Sequence, residues 1–145
     1  MQIYTNSPEQ TESCGKELAK SLDQRGIKRA FIALRGEMGV GKTAFTRGFA
    51  SYFGIECVKS PTYTIVNEYR GKSRIFHFDM YRITDGDDLY STGYDEYIES
   101  DGYSIVEWSE NIDDFIPEGA IFVSISRSGD NENGRTIEIN ENFSI

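Results

Sequence analysis

A glycine-rich segment at residues 36–43, GEMGVGKT, has the residue types and spacing that hold phosphate groups. Its glycines let successive backbone N–H groups point inward and form a nest for phosphate oxygens. Lys42 would reach the β and γ phosphates as a compact cation, and Thr43 would give its hydroxyl to magnesium. The pattern GxxxxGK[ST] therefore predicts a P-loop that binds ATP and Mg²⁺.

Two acids follow strand-like runs, where a magnesium nucleotide site needs a carboxylate beyond the loop. Asp79 follows RIFHF and Glu107 follows SIV, so each would reach the mouth of the sheet. Both are candidate catalytic and metal-binding residues, although either alone could be a surface charge, and the sequence does not rank them. His77 fits a packed strand residue better than a catalyst, and Trp108 fits the core or a cover over the site.

The elements on either side of the glycine loop have the pattern that a P-loop requires. Residues 30–34, AFIAL, form a short continuous apolar run of the kind found in a buried parallel strand. Residues 44–53 place aromatic side chains at helical spacing, and Gly54 closes that segment. The order strand, phosphate loop, helix is therefore predicted from the sequence.

The remaining elements follow from capping signals and hydrophobic periodicity. Ser7 and Pro8 mark a helix start, and Gly26 marks its stop after about Arg25. A hairpin turn is predicted at residues 70–73. The other predicted elements are strands at 62–69, 74–80, 103–108, 121–125 and 136–139, and short helices at 85–91 and 94–98.

The overall charge restricts the partners of the chain. Its 145 residues suit one domain, residues 1–145, and 24 acidic against 15 basic side chains give a formal net charge of −9. Such a surface repels a phosphate backbone, so we expect no direct, tight binding of nucleic acid. An acidic ATP-binding protein must instead build a local positive site from a lysine, backbone amides and a cation.

The cysteines give no sign of a structural metal site or a disulfide, and the first residues give no sign of membrane targeting. Cys14 and Cys57 stand alone, so neither a zinc site nor a disulfide framework is expected. Residues 1–5 lack a basic region followed by an apolar run, and no apolar stretch approaches membrane-spanning length. We expect a cytoplasmic protein, which agrees with ATP as the substrate.

Several motifs together resemble the TsaE (YjeE) ATPases, which are required for the threonylcarbamoyladenosine modification of tRNA. The resemblance covers nearly the whole chain, and the ordered set is more specific than any one of its parts. The motifs that carry it are LRGEMGVGKT at 34–43, SPTYT at 60–64, HFDMYR at 77–82 and VEW at 106–108.

The resemblance implies an α/β fold of the P-loop NTPase type, with a mixed, mostly parallel sheet flanked by helices on both faces in three layers. It also implies an ATPase that is slow by itself and is activated by the partner proteins TsaD and TsaB, meeting tRNA only through that complex. Thr43 and Glu107 are expected at magnesium, with Asp79 close to the metal and its water.

The resemblance further implies which residues surround the nucleotide. Thr62 would sense the γ phosphate from a switch-like loop at 60–62. Thr11 and Arg135 would lie near the adenine, and Trp108 close to the nucleotide; from the residues alone, Thr11 could be a helix-surface residue and Arg135 a solvated charge. The contacts from the loop itself are expected from Gly39, Val40, Gly41, Lys42, Thr43 and Ala44.

Two other functions remain open at this stage. A small P-loop kinase would use the same loop and a carboxylate near an acceptor hydroxyl, but the chain has little length for a lid or a substrate pocket. A non-catalytic scaffold would use ATP only to order residues 60–64 for partner binding.

Overall fold

The computed structural model describes residues 1–37, 39–59, 65–129 and 131–141. Within these residues the chain forms seven strands and four α-helices, with a kinked 3₁₀ segment at Ser109–Phe115. The helices are α1 (Pro8–Gln24), α2 (Lys42–Tyr52), α3 (Gly86–Tyr90) and α4 (Tyr94–Glu99). The strands are β1 (Gln2–Thr5), β2 (Arg29–Arg35), β3 (Val66–Arg70), β4 (Arg74–Asp79), β5 (Gly102–Glu107), β6 (Ile121–Arg127) and β7 (Arg135–Glu141).

The strands form one mixed sheet in the order β1-β7-β6-β2-β5-β4-β3. The four central strands β6, β2, β5 and β4 are parallel to one another, whereas β7 and β3 are antiparallel to their neighbours. The carboxyl ends of β2, β4 and β5 therefore meet at the same edge of the sheet. This edge is the usual place for a ligand in an open α/β sheet.

Helices and hydrophobic clusters cover both faces of the sheet, which confirms the predicted three-layer α/β architecture. On one face, α1 and α2 pack on the sheet through a cluster that includes Leu22, Phe45, Phe49, Ile32 and Ile105. On the other face, α3, α4 and the 3₁₀ segment contribute to a second cluster. That cluster includes Phe31, Phe78, Leu89, Tyr94, Val106 and Ile112.

The position of α2 depends on two glycines at its crossing with α1. A Cβ at Gly48 would lie 1.8 Å from the carbonyl oxygen of Glu12, and one at Gly15 would lie 2.0 Å from that of Phe45. Neither glycine has room for a side chain, so the two helices approach at backbone distance. This close crossing holds the helix that follows the glycine loop against the sheet.

The predicted element boundaries agree with the structure, with local differences. Helix α1 ends at Gln24, and Gly26 has φ +72° as expected for a helix stop. Of the strand predicted at 62–69, residues 62–64 lie outside the described residues and β3 begins at Val66. Strand β5 runs from Gly102 to Glu107 rather than from 103 to 108. Strand β1 and the 3₁₀ segment were not predicted, because β1 is short and is identified mainly by its pairing with β7.

No helix among the described residues has the length and the apolar character needed to cross a membrane.

Candidate functional site

The glycine loop connects the end of β2 to the start of α2. Gly39 and Gly41 have φ +76° and +116°, a region of backbone conformation that favours glycine. Gly36 is required for space, because a Cβ there would lie 2.6 Å from the carbonyl oxygen of Ile125 on β6. Met38 lies outside the described residues. The three glycines of the motif therefore occupy positions at which glycine is required or favoured.

The amino end of α2 is suited to an anion. Gly41 is its N-cap residue, and no side chain caps it in the part of the chain that the structure describes. The backbone N–H groups in the first turn of a helix lack partners within the helix, and the helix dipole favours negative charge there. A helix start that follows a glycine-rich loop and has no side-chain cap is an arrangement that binds phosphate groups.

The two strand-end acids, Asp79 and Glu107, are direct neighbours in the sheet. They are register partners on the parallel strands β4 and β5, whose backbones lie about 4.8 Å apart. The backbone N–H of Met80 donates to the carbonyl oxygen of Glu107 at 3.0 Å, so pairing continues past Asp79. The Asp79 carboxylate accepts from the backbone N–H of Tyr81 at 2.9 Å. Both acids are brought to the edge of the sheet at which the glycine loop lies.

The Glu107 carboxylate connects the glycine loop to the interior of the sheet. Its Oε1 lies 4.0 Å from Nζ of Lys42, and both side chains are less than one tenth exposed. Its Oε2 is 2.6 Å from Nε2 of His77, which is fully buried. His77 is a packed strand residue, as predicted, but the sequence analysis missed its bond to Glu107. Side-chain alternation places His77 and Glu107 on the same face only once β4 and β5 are known to be adjacent and in this register.

Trp108 covers the lysine. It is the only residue other than glycine with a positive φ in the described ranges, at +57°. Its ring centroid lies 4.8 Å from Nζ of Lys42 and 5.0 Å from the ring centroid of Tyr81. The next residue, Ser109, is buried and accepts from Nε of Arg35 at 3.0 Å. The chain thus turns sharply after Glu107 and places the indole against the ammonium group.

A second group of residues meets on the opposite side of the glycine loop. The hydroxyls of Thr11 and Thr5 lie 3.0 Å apart in a buried contact, and Nε of Arg135 donates to the carbonyl oxygen of Val40 at 2.7 Å. Here a small pocket of about 40 Å³ opens beside the loop. It is lined by Ser7, Pro8, Thr11, Val40, Gly41, Ala44, Asn133 and Arg135.

The structure therefore divides the predicted site residues into two groups around the loop. Lys42, Glu107, Asp79 and Trp108 lie on the sheet side, while Thr11 and Arg135 meet Val40, Gly41 and Ala44 on the α1 side. Asn133 was missed, since nothing in the polar loop before β7 distinguishes it from its neighbours. Thr62 and the rest of the segment 60–64 lie outside the described residues.

The donor groups at the sheet edge fit magnesium. Thr43 has a hydroxyl oxygen, and Asp79 and Glu107 have carboxylate oxygens, which are hard ligands of the type that Mg²⁺ prefers. Among the described residues no group of three or more His, Cys, Asp or Glu side chains forms a metal cage. Mg²⁺ is commonly held by one or two carboxylates together with substrate phosphates, and Asp79 and Glu107 are two neighbouring carboxylates.

Comparisons with known proteins agree on one family. The family model described as "Threonylcarbamoyl adenosine biosynthesis protein TsaE" matches residues 5–137, a span that includes Thr11, the glycine loop, both acids and Arg135. The TsaE protein of Bacillus subtilis is 38% identical over 131 residues, covering 88% of this chain and 78% of that protein. The TsaE protein of Haemophilus influenzae is 40% identical over 123 residues, covering 82% of this chain and 77% of that protein.

A solved structure has a fold similar to that of this chain. The crystal structure of YdiB from Bacillus subtilis superimposes with a TM-score of 0.80 at 30% sequence identity, covering 99% of this chain and 86% of that one. The predicted fold, that of a P-loop NTPase, is confirmed.

Proposed function

The chain belongs to the TsaE family, and from this we propose that it is the ATP-binding and ATP-hydrolysing subunit of a system that makes threonylcarbamoyladenosine in tRNA. The curated relatives in Bacillus subtilis and Haemophilus influenzae have the name "tRNA threonylcarbamoyladenosine biosynthesis protein TsaE". We assign residues 1–145 to a single ATPase domain. We place its activity in the cytoplasm, where ATP and tRNA are both present.

The contact between Lys42 and Glu107 is the observation that carries this proposal. A P-loop NTPase needs a lysine that reaches the terminal phosphates and a strand-end acid that serves the metal. Here the two groups lie 4.0 Å apart, both largely buried, at the end of the glycine nest. In a chain with net charge −9, a buried cation beside an N-cap suited to anions is a local exception to the surrounding negative field.

Magnesium has a defined place in this proposal. Thr43 and Glu107 would hold the ion, with Asp79 close to it. When bound together with ATP, the ion would neutralise charge that develops on the phosphate oxygens.

The residues of the chain mainly position the nucleotide. Lys42 turns from Glu107 to the β and γ phosphates, where its ammonium stabilises charge on the transferred group. The backbone N–H groups of residues 39–44 surround the same phosphates. Asp79 or Glu107 orients the water that attacks the γ phosphate, and Thr62 is assigned to sensing that phosphate. Lys42, Asp79 and Glu107 are therefore the proposed catalytic residues.

The base of ATP is assigned to the α1 side of the loop. Thr11, Val40, Ala44 and Arg135 line the small pocket there, and we add Asn133 to this group. A pocket of about 40 Å³ does not enclose a purine, so we place the adenine across its mouth. Trp108 lies at Lys42 and is assigned to covering the phosphate end.

Partner proteins complete the activity in this proposal. A cation supplied by a partner protein can raise the rate of phosphoryl transfer by roughly 10³ to 10⁵ fold. We therefore propose slow hydrolysis by the chain alone and activation by TsaD and TsaB. The net charge of −9 favours contact with tRNA through these partners.

A reconstituted modification assay tests the function. The chain is mixed with TsaD, TsaB, tRNA, ATP and the threonylcarbamoyl donor, and the modified adenosine is quantified. Lys42→Ala should lower its formation by about a hundredfold or more, because it removes the main side-chain charge on the phosphates. The matched control is Lys20→Ala, at an exposed position of α1. Equal product from Lys42→Ala and the wild-type chain would refute the proposal.

A further inference from the structure

We propose that His77 is a positioning residue for Glu107, which it fixes so that one carboxylate oxygen stays directed at Lys42 and the magnesium nucleotide. This inference rests on the proposed function, because it concerns the same site. It assigns a role in metal binding to a histidine that lies within the sheet and does not itself reach the phosphate side of the loop.

The bond between the two side chains is short and buried. His77 has no exposed surface, Glu107 is 7% exposed, and Nε2 lies 2.6 Å from Oε2. A carboxylate that faces the Lys42 ammonium is suited to accept hydrogen bonds, and we assign Nε2 of His77 as the donor in this bond. Hydrogen bonds to a charged acceptor in a buried place are among the strong ones in proteins.

The other ring nitrogen supports the same tautomer. Nδ1 of His77 is buried and has no hydrogen-bond partner in the part of the chain that the structure describes. A proton at Nδ1 would be a buried donor without an acceptor, which is costly. Both observations favour the tautomer with its proton at Nε2.

Packing alone does not explain a histidine at this position. Ile75 on β4 and Ile105, the register partner of the histidine on β5, are fully buried on the same face, while Asn67 is its register partner on β3 and Asp79 follows it on β4. An apolar side chain would fill this place without the cost of burying a polar ring. The polar ring is explained by the carboxylate that it reaches, that of Glu107, which lies two residues beyond Ile105 on β5.

The bond fixes the direction of the carboxylate. With Oε2 held by His77, the free oxygen Oε1 is the one that lies 4.0 Å from Nζ of Lys42. A glutamate side chain otherwise has several rotatable bonds to order when it binds a ligand. Hydrogen bonds from outside a metal site orient its ligands in this way, and their loss usually costs about 10-fold to 100-fold in metal affinity or activity.

Two substitutions at position 77 distinguish the effect of the hydrogen bond to Glu107 from the effect of side-chain volume. The amide nitrogen of His77→Gln can reach the place of Nε2, whereas that of His77→Asn reaches only the place of Nδ1. ATP affinity is measured by calorimetry with Mg²⁺ and with EDTA. We expect His77→Asn to lose about tenfold or more of the affinity with Mg²⁺ and none of the affinity in EDTA. His77→Gln should retain most of both.

A measurement on the unaltered chain covers the case in which His77→Asn does not fold. His77 is the only histidine, so ¹⁵N-histidine labelling of an untagged chain gives one assignable ring in nuclear magnetic resonance spectra. We expect the proton at Nε2, none at Nδ1, and a change of the Nε2 signal in Glu107→Gln. A proton at Nδ1 instead, or no response to Glu107→Gln, would overturn the inference.

The outcomes distinguish this inference from the proposed function. If the wild-type chain binds ATP equally with Mg²⁺ and with EDTA, the magnesium site is refuted, and the role of His77 with it. If the wild-type chain depends on Mg²⁺ and His77→Asn is indistinguishable from it, only the role of His77 is refuted.

Discussion

The indole of Trp108 lies against the ammonium of Lys42, with Nζ 4.8 Å from the ring centroid. The same ammonium faces Oε1 of Glu107 at 4.0 Å, so an aromatic face and a carboxylate share one buried cation. When Lys42 turns to phosphate oxygens it must weaken both contacts. The site is therefore expected to change its internal contacts whenever ATP binds, and Trp108 is placed to report that change.

Tryptophan fluorescence should follow ATP binding. Trp108 is the only tryptophan of the chain, so intrinsic emission reports its surroundings alone. We expect saturating ATP with Mg²⁺ to change this emission, because the cation leaves the ring. Lys42→Ala should abolish the change, and Lys20→Ala should retain it. Unchanged emission in a wild-type sample shown by calorimetry to be saturated would contradict the proposed movement of Lys42.

Arg135 should support ATP affinity through the backbone of the loop. Its Nε donates to the carbonyl oxygen of Val40 at 2.7 Å, and its side chain lines the pocket assigned to the base. A hydrogen bond from a charged donor contributes about 1.5–3 kcal/mol, so Arg135→Ala should weaken ATP binding by roughly tenfold or more. Equilibrium titration with ATP measures this loss.

The control for Arg135 is an arginine at the other end of the sheet. Arg29 lies at the start of β2 with an exposed ion pair to Asp101, so Arg29→Ala should leave ATP affinity unchanged. Equal losses in both variants would indicate a general effect of charge and would contradict the specific role of Arg135.

Gly48→Ala should destabilise the fold although alanine favours helices. The added Cβ would meet the carbonyl oxygen of Glu12 at 1.8 Å, so α1 and α2 must separate. Overpacking of this kind costs about 1–3 kcal/mol against the roughly 1 kcal/mol that alanine gains over glycine in a helix, so we expect a net loss of up to about 2 kcal/mol. Urea unfolding measures the difference.

Gly26→Ala is a control that introduces the same methyl group without a clash. Gly26 has φ +72°, and nothing lies within 4 Å of a Cβ built there, so only the backbone conformation opposes the change. A cost of about 1–2 kcal/mol is expected. Gly48→Ala at least as stable as the wild-type chain would show that the helix crossing adapts.

Stability should fall at alkaline pH because of Tyr94. Burial of this phenol raises its pKa above the ordinary value of about 10, and its hydroxyl donates to the carbonyl oxygen of Phe115 at 3.0 Å. Folding favours the neutral phenol. The contribution of Tyr94 to the free energy of unfolding is therefore complete below pH 10, and it declines above pH 10 as the phenol ionises in the unfolded chain.

Urea unfolding at about pH 8 and about pH 11 measures the alkaline loss for the wild-type chain and Tyr94→Phe. The variant should be less stable by about 1 kcal/mol at the lower pH, because its hydrogen bond is lost. The free energy of unfolding of Tyr94→Phe should then fall less between the lower and the higher pH than that of the wild-type chain. Some loss should remain, since burial also raises the pKa of Tyr103. Equal alkaline losses in both chains would contradict the role of Tyr94.

Local patterns in the sequence were sufficient to identify the residues that the structure places together in the central part of the candidate site. The glycine loop, its strand and its helix follow from residue order, and the acids at positions 79 and 107 follow from their places after apolar runs. The fold class required the resemblance to TsaE proteins in addition. The roles of these residues, like that of Thr62, stay predictions.

The missed features depend on pairings between distant parts of the chain. The bond between His77 and Glu107 requires that β4 and β5 be adjacent and in a known register. Strand β1 exists through its pairing with β7, and Asn133 joins the pocket because the loop before β7 folds back onto α1. None of these relations appears in local periodicity.

Steady-state ATP hydrolysis tests the central claim most directly. The wild-type chain is measured alone and with TsaD and TsaB, beside Lys42→Ala and the control Lys20→Ala. We predict slow hydrolysis by the chain alone, strong stimulation by the partners, and loss of about a hundredfold or more in Lys42→Ala. Hydrolysis that stays at background with both partners present, or that persists in Lys42→Ala, would contradict the claim that this loop forms the active site of an ATPase.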